Sequence, residues 1–202
     1  MKQISLIDAG KRFNKDWIFQ SLNVAFEHGQ HYALIGNNGS GKSTLLQILS
    51  GYTTLSKGTI EWNNADSQTA YDQISIAAPY LELVEELTTI EHFKFHATFK
   101  SLVDTLSIQE MIQLIGLENA THKQIRYFSS GMKQRLKLAL AIFSTSPILL
   151  LDEPCSNLDK EGYALYKQLI QQYAMHKLII VGSNDPEEYA FCTQQINLMD
   201  YK

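Results

Sequence analysis

His31-Tyr32-Ala33-Leu34-Ile35-Gly36-Asn37-Asn38-Gly39-Ser40-Gly41-Lys42-Ser43-Thr44-Leu45-Leu46-Gln47-Ile48-Leu49 is the stretch that decides the fold. Residues 31–35 are an apolar run of strand length. Residues 36–44 match G-x-x-x-x-G-K-[ST], and 43–49 read as a short helix that stops near Gly51. Glycines at 36, 39 and 41 let the backbone curl so that successive N–H groups face phosphate oxygens. The helix N-terminus adds a favourable dipole. In such a loop Lys42 reaches the β- and γ-phosphates and the Ser43 hydroxyl ligates Mg²⁺, with Asn37, Asn38, Ser40 and Thr44 completing the cradle. The motif implies a nucleoside triphosphate and leaves kinases, GTPases and motor ATPases open.

Working outward, Ile148-Leu149-Leu150-Leu151-Asp152-Glu153 is an apolar strand ending in two acids. A strand buried on both faces must be apolar, and its C-terminal tip opens at the ligand crevice. Asp152 there suits Mg²⁺, and Glu153 suits a general base on the attacking water. An acidic strand-to-loop transition is common by itself. Beside a phosphate loop the paired reading prevails.

Further strands are expected at Ile4–Asp8, broken by Gly10, and at Leu22–Phe26, Gly58–Trp62, Ile74–Ala78, Lys177–Val181 and Gln195–Met199. Thr89–Phe99, Ser107–Ile115 and Gly131–Phe143 read as helices, as does Lys160–Tyr173. Strands alternating with helices imply an α/β fold with a mostly parallel sheet. The helical middle suggests an insertion, so residues 1–86 and 147–202 are expected to form the core and β-lobe, and 87–146 a helical subdomain.

The 202 residues carry 17 Lys plus Arg against 21 Asp plus Glu, a net charge of −4, with 45% hydrophobic and 19% charged residues. This is ordinary globular composition and excludes disordered, collagenous and disulfide-scaffold classes. An acidic chain with no basic stripe is a poor nucleic-acid binder, and no polybasic segment is present for an anionic membrane. No run approaches the ~18 apolar residues of a membrane span, and the N-terminus has no signal-peptide core. Cys155 and Cys192 fit free thiols in a reducing cytoplasm, Cys155 as a small filler. His92 and His96 lie one helical turn apart without a third ligand and read as solvated or interface residues. Glu82, Glu85, Glu86 and Glu91 read as a solvated acidic face, with docking of a basic helix as the sharper alternative.

Asp152-Glu153-Pro154-Cys155-Ser156-Asn157-Leu158-Asp159 resembles the Walker B and D-loop run of ABC ATPases. Phe128-Ser129-Ser130-Gly131-Met132-Lys133-Gln134-Arg135 resembles their signature. With the phosphate loop, these motifs stand in the family's order and at its intervals, from Phe13 to Asn184. The resemblance implies a short single-cassette ATP-binding subunit of an ABC transporter: a P-loop NTPase of the ABC type, with a parallel core sheet, an antiparallel β-lobe and an inserted helical subdomain. It implies that two copies sandwich two MgATP, with Ser129, Ser130 and Gly131 of one facing the γ-phosphate held by the other. Phe13 falls where the family stacks an aromatic on adenine, with Trp17 as the substitute. Ser43 and Asp152 would hold the metal; Glu153, Lys42 and Asn184 would be catalytic. A transmembrane permease is the implied partner and no nucleic acid is expected. The implied location is cytoplasmic, peripheral on the cytoplasmic face of the inner or plasma membrane.

Three positions depart from that pattern. The slot of the metal-ligating Gln holds Pro79, for which Glu82 or Glu85 would have to substitute. Asn184 takes the slot of the γ-phosphate His, and it donates a hydrogen bond without becoming a cation. Met132 replaces a Gln of the signature. Slow hydrolysis is the expectation, and a non-hydrolysing switch module or a soluble ABC factor is the alternative.

Overall fold

The structure is a computed structural model and describes residues 2–62 and 69–202. A three-stranded antiparallel sheet, ordered β2-β1-β4, comprises β1 (Lys2–Phe13), β2 (Asp16–Glu27) and β4 (Lys57–Trp62). A five-stranded parallel sheet, ordered β5-β6-β7-β3-β8, comprises β3 (His31–Ile35), β5 (Ile74–Ala77), β6 (Ile148–Asp152), β7 (Leu178–Gly182) and β8 (Gln194–Asn197). The helices are α1 (Lys42–Leu49), α2 (Thr89–Ala97), α3 (Ile108–Leu114), α4 (Ser130–Ile142) and α5 (Lys160–Tyr173).

The first strand is longer than expected: β1 runs through Gly10 to Phe13. Bulges between Leu6 and Lys11, with Asp8 at φ 46°, absorb the break in alternation that makes Gly10 look like a terminus. At the other end of the chain Leu198–Tyr201 winds into a 3₁₀ turn instead of extending β8, held by Asn197 Oδ1 accepting the Met199 N–H at 3.1 Å. The helical starts are locally encoded. Thr88 with Glu91, and Ser107 with Glu110, form capping boxes at α2 and α3.

Strands β6 and β7 are buried along their whole length. Their period of two divides the core. Leu149, Leu151, Ile179 and Val181 pack with Leu136, Phe143 and Tyr166 beneath the helices. Ile148, Leu150, Leu178 and Ile180 pack with Leu45 and Leu49 of α1 and with Phe19 and Phe26 of the antiparallel sheet. Asp152 shares the parity of Ile148 and Leu150, which turns it towards α1.

Lys177 is fully buried, just before β7. Its ammonium donates to the carbonyls of Ile142, at 2.9 Å, and of Ser144, closing the C-terminus of α4 with a cation. Burial pulls its pKa down to about 8. Lys177→Met should lower stability by about 2–4 kcal/mol, because both carbonyls lose their donor. Urea denaturation at pH 7 measures this directly, and a loss below about 0.5 kcal/mol would contradict it.

Candidate functional site

The loop before α1 holds glycines with positive φ, and at Gly36 and Gly41 a side chain would also collide with its neighbours. Gly41 sits at φ 106°, and a Cβ there would lie 2.4 Å from Ile18 Cγ2. The loop is thereby pressed against β2, and Ile18 becomes a wall of a cleft of about 260 Å³ with Asn38, Lys42, Ser43, Thr44 and Glu153. Sequence reading missed Ile18, because the strand expected at Leu22–Phe26 begins earlier, at Asp16.

Lys42 is 5% exposed. Its amine donates to Gly36 O at 2.8 Å and to Asn184 Oδ1 at 3.0 Å, and Asn184 Nδ2 donates to Asn38 Oδ1 at 2.7 Å. Asn184 is thus drawn onto the phosphate loop from the segment after β7. Burial lowers the Lys42 pKa, opposed by the charges of Glu153 and Asp152.

Asp152 is 2% exposed, pairs with Gly182 in the sheet register, and leaves Oδ1 without a partner among the described residues. A Cβ on Gly182 would stand 3.4 Å from both Asp152 Oδ1 and Lys42 Cβ, so this glycine keeps the space between them open. Burial pushes the Asp152 carboxyl up to about 6 and the neighbouring charge of Glu153 adds to this, while a hydrogen bond from Ser43 and the charge of Lys42 oppose it. A hydroxyl beside an orphaned buried carboxylate oxygen fits a hard cation that takes oxygen ligands and keeps several from water or phosphate. Glu153 follows at φ 44°, a left-handed conformation costing a residue with a Cβ about 1–3 kcal/mol unless its surroundings enforce it.

Ser129, Ser130 and Gly131 lie elsewhere. They line a separate cleft of about 380 Å³ with Arg135, Asn157 and Asp159. Ser129 caps α4 by accepting the Met132 N–H at 3.3 Å, and Arg135 pairs with Asp159 at 3.3 Å. Phe13, half exposed at the end of β1, carries the Lys11 ammonium 5.0 Å from its ring centre. Trp17 is folded down over Gly10 and under Arg12 instead.

Neither proposed substitute for the missing Gln enters the phosphate cleft. Glu85 is engaged by Lys133 of α4, and both Glu82 and Glu85 line a different cleft with Pro79. Pro79 sits in a turn whose carbonyls at 78 and 79 accept the Lys137 ammonium at 3.4 and 3.0 Å. Tyr80, unremarked in the sequence, is the side chain of this turn that bears on Asp152: burial raises its hydroxyl to about 12, the Asp152 charge adds to this, and a hydrogen bond with Gln47 opposes it. The acidic face is exposed, as expected of a solvated patch, and several of its carboxylates are paired locally. Glu86 pairs with Arg126 at 3.6 Å and Glu91 accepts the Thr88 N–H at 2.8 Å. His92 is buried at 7% exposure rather than solvated, its Nε2 accepting the Val84 N–H at 3.3 Å. Cys155 is a buried filler whose thiol burial pushes well up.

Residues 19–156 match the family model described as ABC transporter. The chain belongs to the ABC transporter family. It is an ATP-binding cassette of that family and an ATPase. The uncharacterised ABC transporter ATP-binding protein YybJ of Bacillus subtilis is 31% identical over 189 residues, covering 92% of this chain and 87% of that one. The lantibiotic transport ATP-binding protein SrtF of Streptococcus pyogenes is 30% identical, over 86% of this chain and 76% of its own length. The ATP-binding cassette MJ0796, solved as a dimer bound to ADP and Pi, superposes with a TM-score of 0.81 at 21% identity, over 96% of this chain and 93% of that one. This cassette has no helix, among its described residues, long and apolar enough to cross a membrane.

Asp152→Asn removes the poorly compensated buried charge. The folded carboxyl keeps its proton up to about pH 6 and an unfolded one only to about 3.8, so ionisation destabilises the fold increasingly between those values. The variant should be more stable than the parent by about 2 kcal/mol at pH 7, with the gain vanishing below about pH 4. Denaturant titrations across that range test it; a gain unchanged with pH would contradict it.

Proposed function

We propose that the chain hydrolyses ATP as one of two copies that close on two nucleotides and drive a separate membrane permease. The observation that carries this reading is one cleft lined by Lys42, Ser43 and Glu153, with Asn184 bonded to Lys42 and Asp152 beside Ser43. The N–H groups of the Gly36–Thr44 loop and the Lys42 ammonium cradle the β- and γ-phosphates. Ser43 and Asp152 would hold Mg²⁺, which would supply charge neutralisation at the phosphate oxygens. Glu153 accepts the proton of the water that attacks the γ-phosphorus; the new P–O bond forms as the bond to the ADP oxygen breaks. Asn184 donates to a γ-phosphate oxygen, and Phe13 stacks on adenine.

The Ser129–Gly131 turn stands apart from this cleft, so a single chain leaves the far side of the γ-phosphate open. A second copy supplies that turn, and the dimeric MJ0796 cassette supports such an arrangement. In this reading residues 1–86 and 147–202 form the nucleotide-binding core and β-lobe, and 87–146 the helical subdomain. The family, and the transport role of SrtF, support a permease partner and a place on the cytoplasmic face of the membrane. Two replaced contacts near the γ-phosphate, Asn184 for His and Met132 for Gln, make turnover slow; loss of one such contact costs on the order of 10²-fold. Asn184 also favours a second reading, a switch that closes on ATP and rarely turns over.

Glu153→Gln separates these readings. The variant should bind ATP like the parent, hydrolyse it at least about 100-fold more slowly, and form ATP-dependent dimers visible by light scattering. Equal rates for parent and variant would defeat the hydrolytic assignment. Asn184→His should raise kcat by about tenfold, checked by phosphate release under saturating ATP.

A further inference from the structure

The loops that carry Glu153 and Asn184 leave adjacent strands, and one buried peptide group stands between them. The Pro154 carbonyl accepts Gln134 Nε2 of α4 at 2.7 Å, and the Cys155 N–H of the same peptide donates to Glu188 Oε1 at 2.8 Å. Both side chains are 3% exposed. Neither was singled out by motif reading. On the other side of Glu153, its own N–H donates to Gly182 O at 2.9 Å. The left-handed Glu153 is therefore bracketed by hydrogen bonds, at its own nitrogen and, one residue on, across the Pro154–Cys155 peptide.

Glu188 is a costly choice for a purely structural acceptor. Among the described residues no Lys or Arg forms an ion pair with it; Lys167 pairs at 2.9 Å with Glu187 instead. A buried carboxylate without a cation is tolerated only when hydrogen bonds hold it. The Cys155 N–H donates to Glu188 from the Glu153 loop; burial raises the Glu188 pKa, and the Ser183 hydroxyl, beside Asn184 on the other loop, lowers it. Ser183 Oγ in turn accepts the Asp185 N–H at 2.9 Å. Tyr166 fixes the far side, its hydroxyl donating to the Glu188 carbonyl at 2.8 Å.

We propose that Gln134 and Glu188 are positioning residues that clamp the Pro154–Cys155 peptide, setting the aim of Glu153 and coupling it to the Asn184 loop and to helix α4. Because α4 begins at the Ser129–Gly131 turn, a shift of that helix reaches the base through Gln134. The inference rests on the assignment of Glu153 as the base. Displacement of a reacting group by about 1 Å costs on the order of 100-fold in rate, and neither clamp residue touches the phosphate loop.

The test uses the full chain with Glu188→Ala, Glu188→Gln and Gln134→Ala, reading steady-state ATPase kinetics and amide hydrogen exchange. Glu188→Ala and Gln134→Ala should lower kcat by about 10- to 100-fold while KM for ATP stays within about threefold. Glu188→Gln keeps an oxygen that accepts the Cys155 N–H and should recover kcat to within about fivefold of the parent. Exchange at Cys155 should accelerate in Glu188→Ala while amides of 42–49 stay at parental rates. Parental kcat and parental exchange in Glu188→Ala would overturn the proposal. So would a loss of kcat that Glu188→Gln does not recover, or accelerated exchange through 42–49, which would mark a general loss of structure. A parent that hydrolyses no ATP would sink the hydrolytic reading instead, and the exchange comparison would then decide the clamp by itself.

Discussion

Strands β6 and β7 are covered on both faces, and this constraint arranges everything else. Residues 148–151 and 178–181 are wholly apolar, so no polar chemistry can be carried along their length. It can begin only where the strands end. Asp152 and Gly182 form the last registered pair, and beyond them the chain is free to turn towards the phosphate loop. The parity that sends Ile148 and Leu150 to the α1 side also sends Asp152 there, beside Lys42 and Ser43. The metal-binding carboxylate of the proposed site is placed by the same alternation that builds the core.

The other elements act as walls and ties around that edge. Ile18 of the antiparallel sheet presses on Gly41, so the hairpin lobe closes one side of the cleft. Helix α4 reaches the edge in two places. Lys137 holds the carbonyls of the 78–79 turn, and Gln134 holds Pro154. One helix therefore touches the turn bearing Tyr80 and the loop bearing Glu153. Its N-terminal turn opens onto a second cleft, and a movement of α4 as a rigid rod would be felt at the phosphate edge without crossing the core.

What was legible in the sequence is what local chemistry encodes. The phosphate loop, the acid pair after an apolar strand and the Ser-capped start of α4 each need only a few consecutive residues, and each stands where its pattern puts it. Long-range pairings were not legible. Glu85 reads as a free carboxylate until Lys133, far along the chain, is brought to it by α4. Tyr80 carries no motif, because its relation to Asp152 and Gln47 is created by the turn that Lys137 pins. The bulges of β1 were hidden for a related reason: a disrupted alternation looks like an end of strand, and only the partner strands show that pairing resumes. Gln134 and Glu188 were passed over because a buried polar side chain and an exposed one look alike in a sequence.

The phosphate edge also concentrates features that lower stability. Asp152 is ionisable, buried and only half satisfied; Lys42 is buried beside it; Glu153 is left-handed, as is Asn157 four residues on. None of these helps the fold, since an apolar residue, a glycine or an exposed position would serve it better at each place. They are tolerated because the sheet beneath is continuous apolar packing and because the loops are tied at both ends by hydrogen bonds. A cluster of locally unfavourable choices on a rigid base is the physical mark of a site shaped by chemistry. Asn184 belongs to that cluster in a different way. Its amide bridges Lys42 and Asn38, using one group to fix the orientation of the ammonium and of the loop together. A phosphate arriving between Lys42 and Asn184 must exchange that contact for its own, so the amide that aims the lysine also sets part of the cost of engaging it.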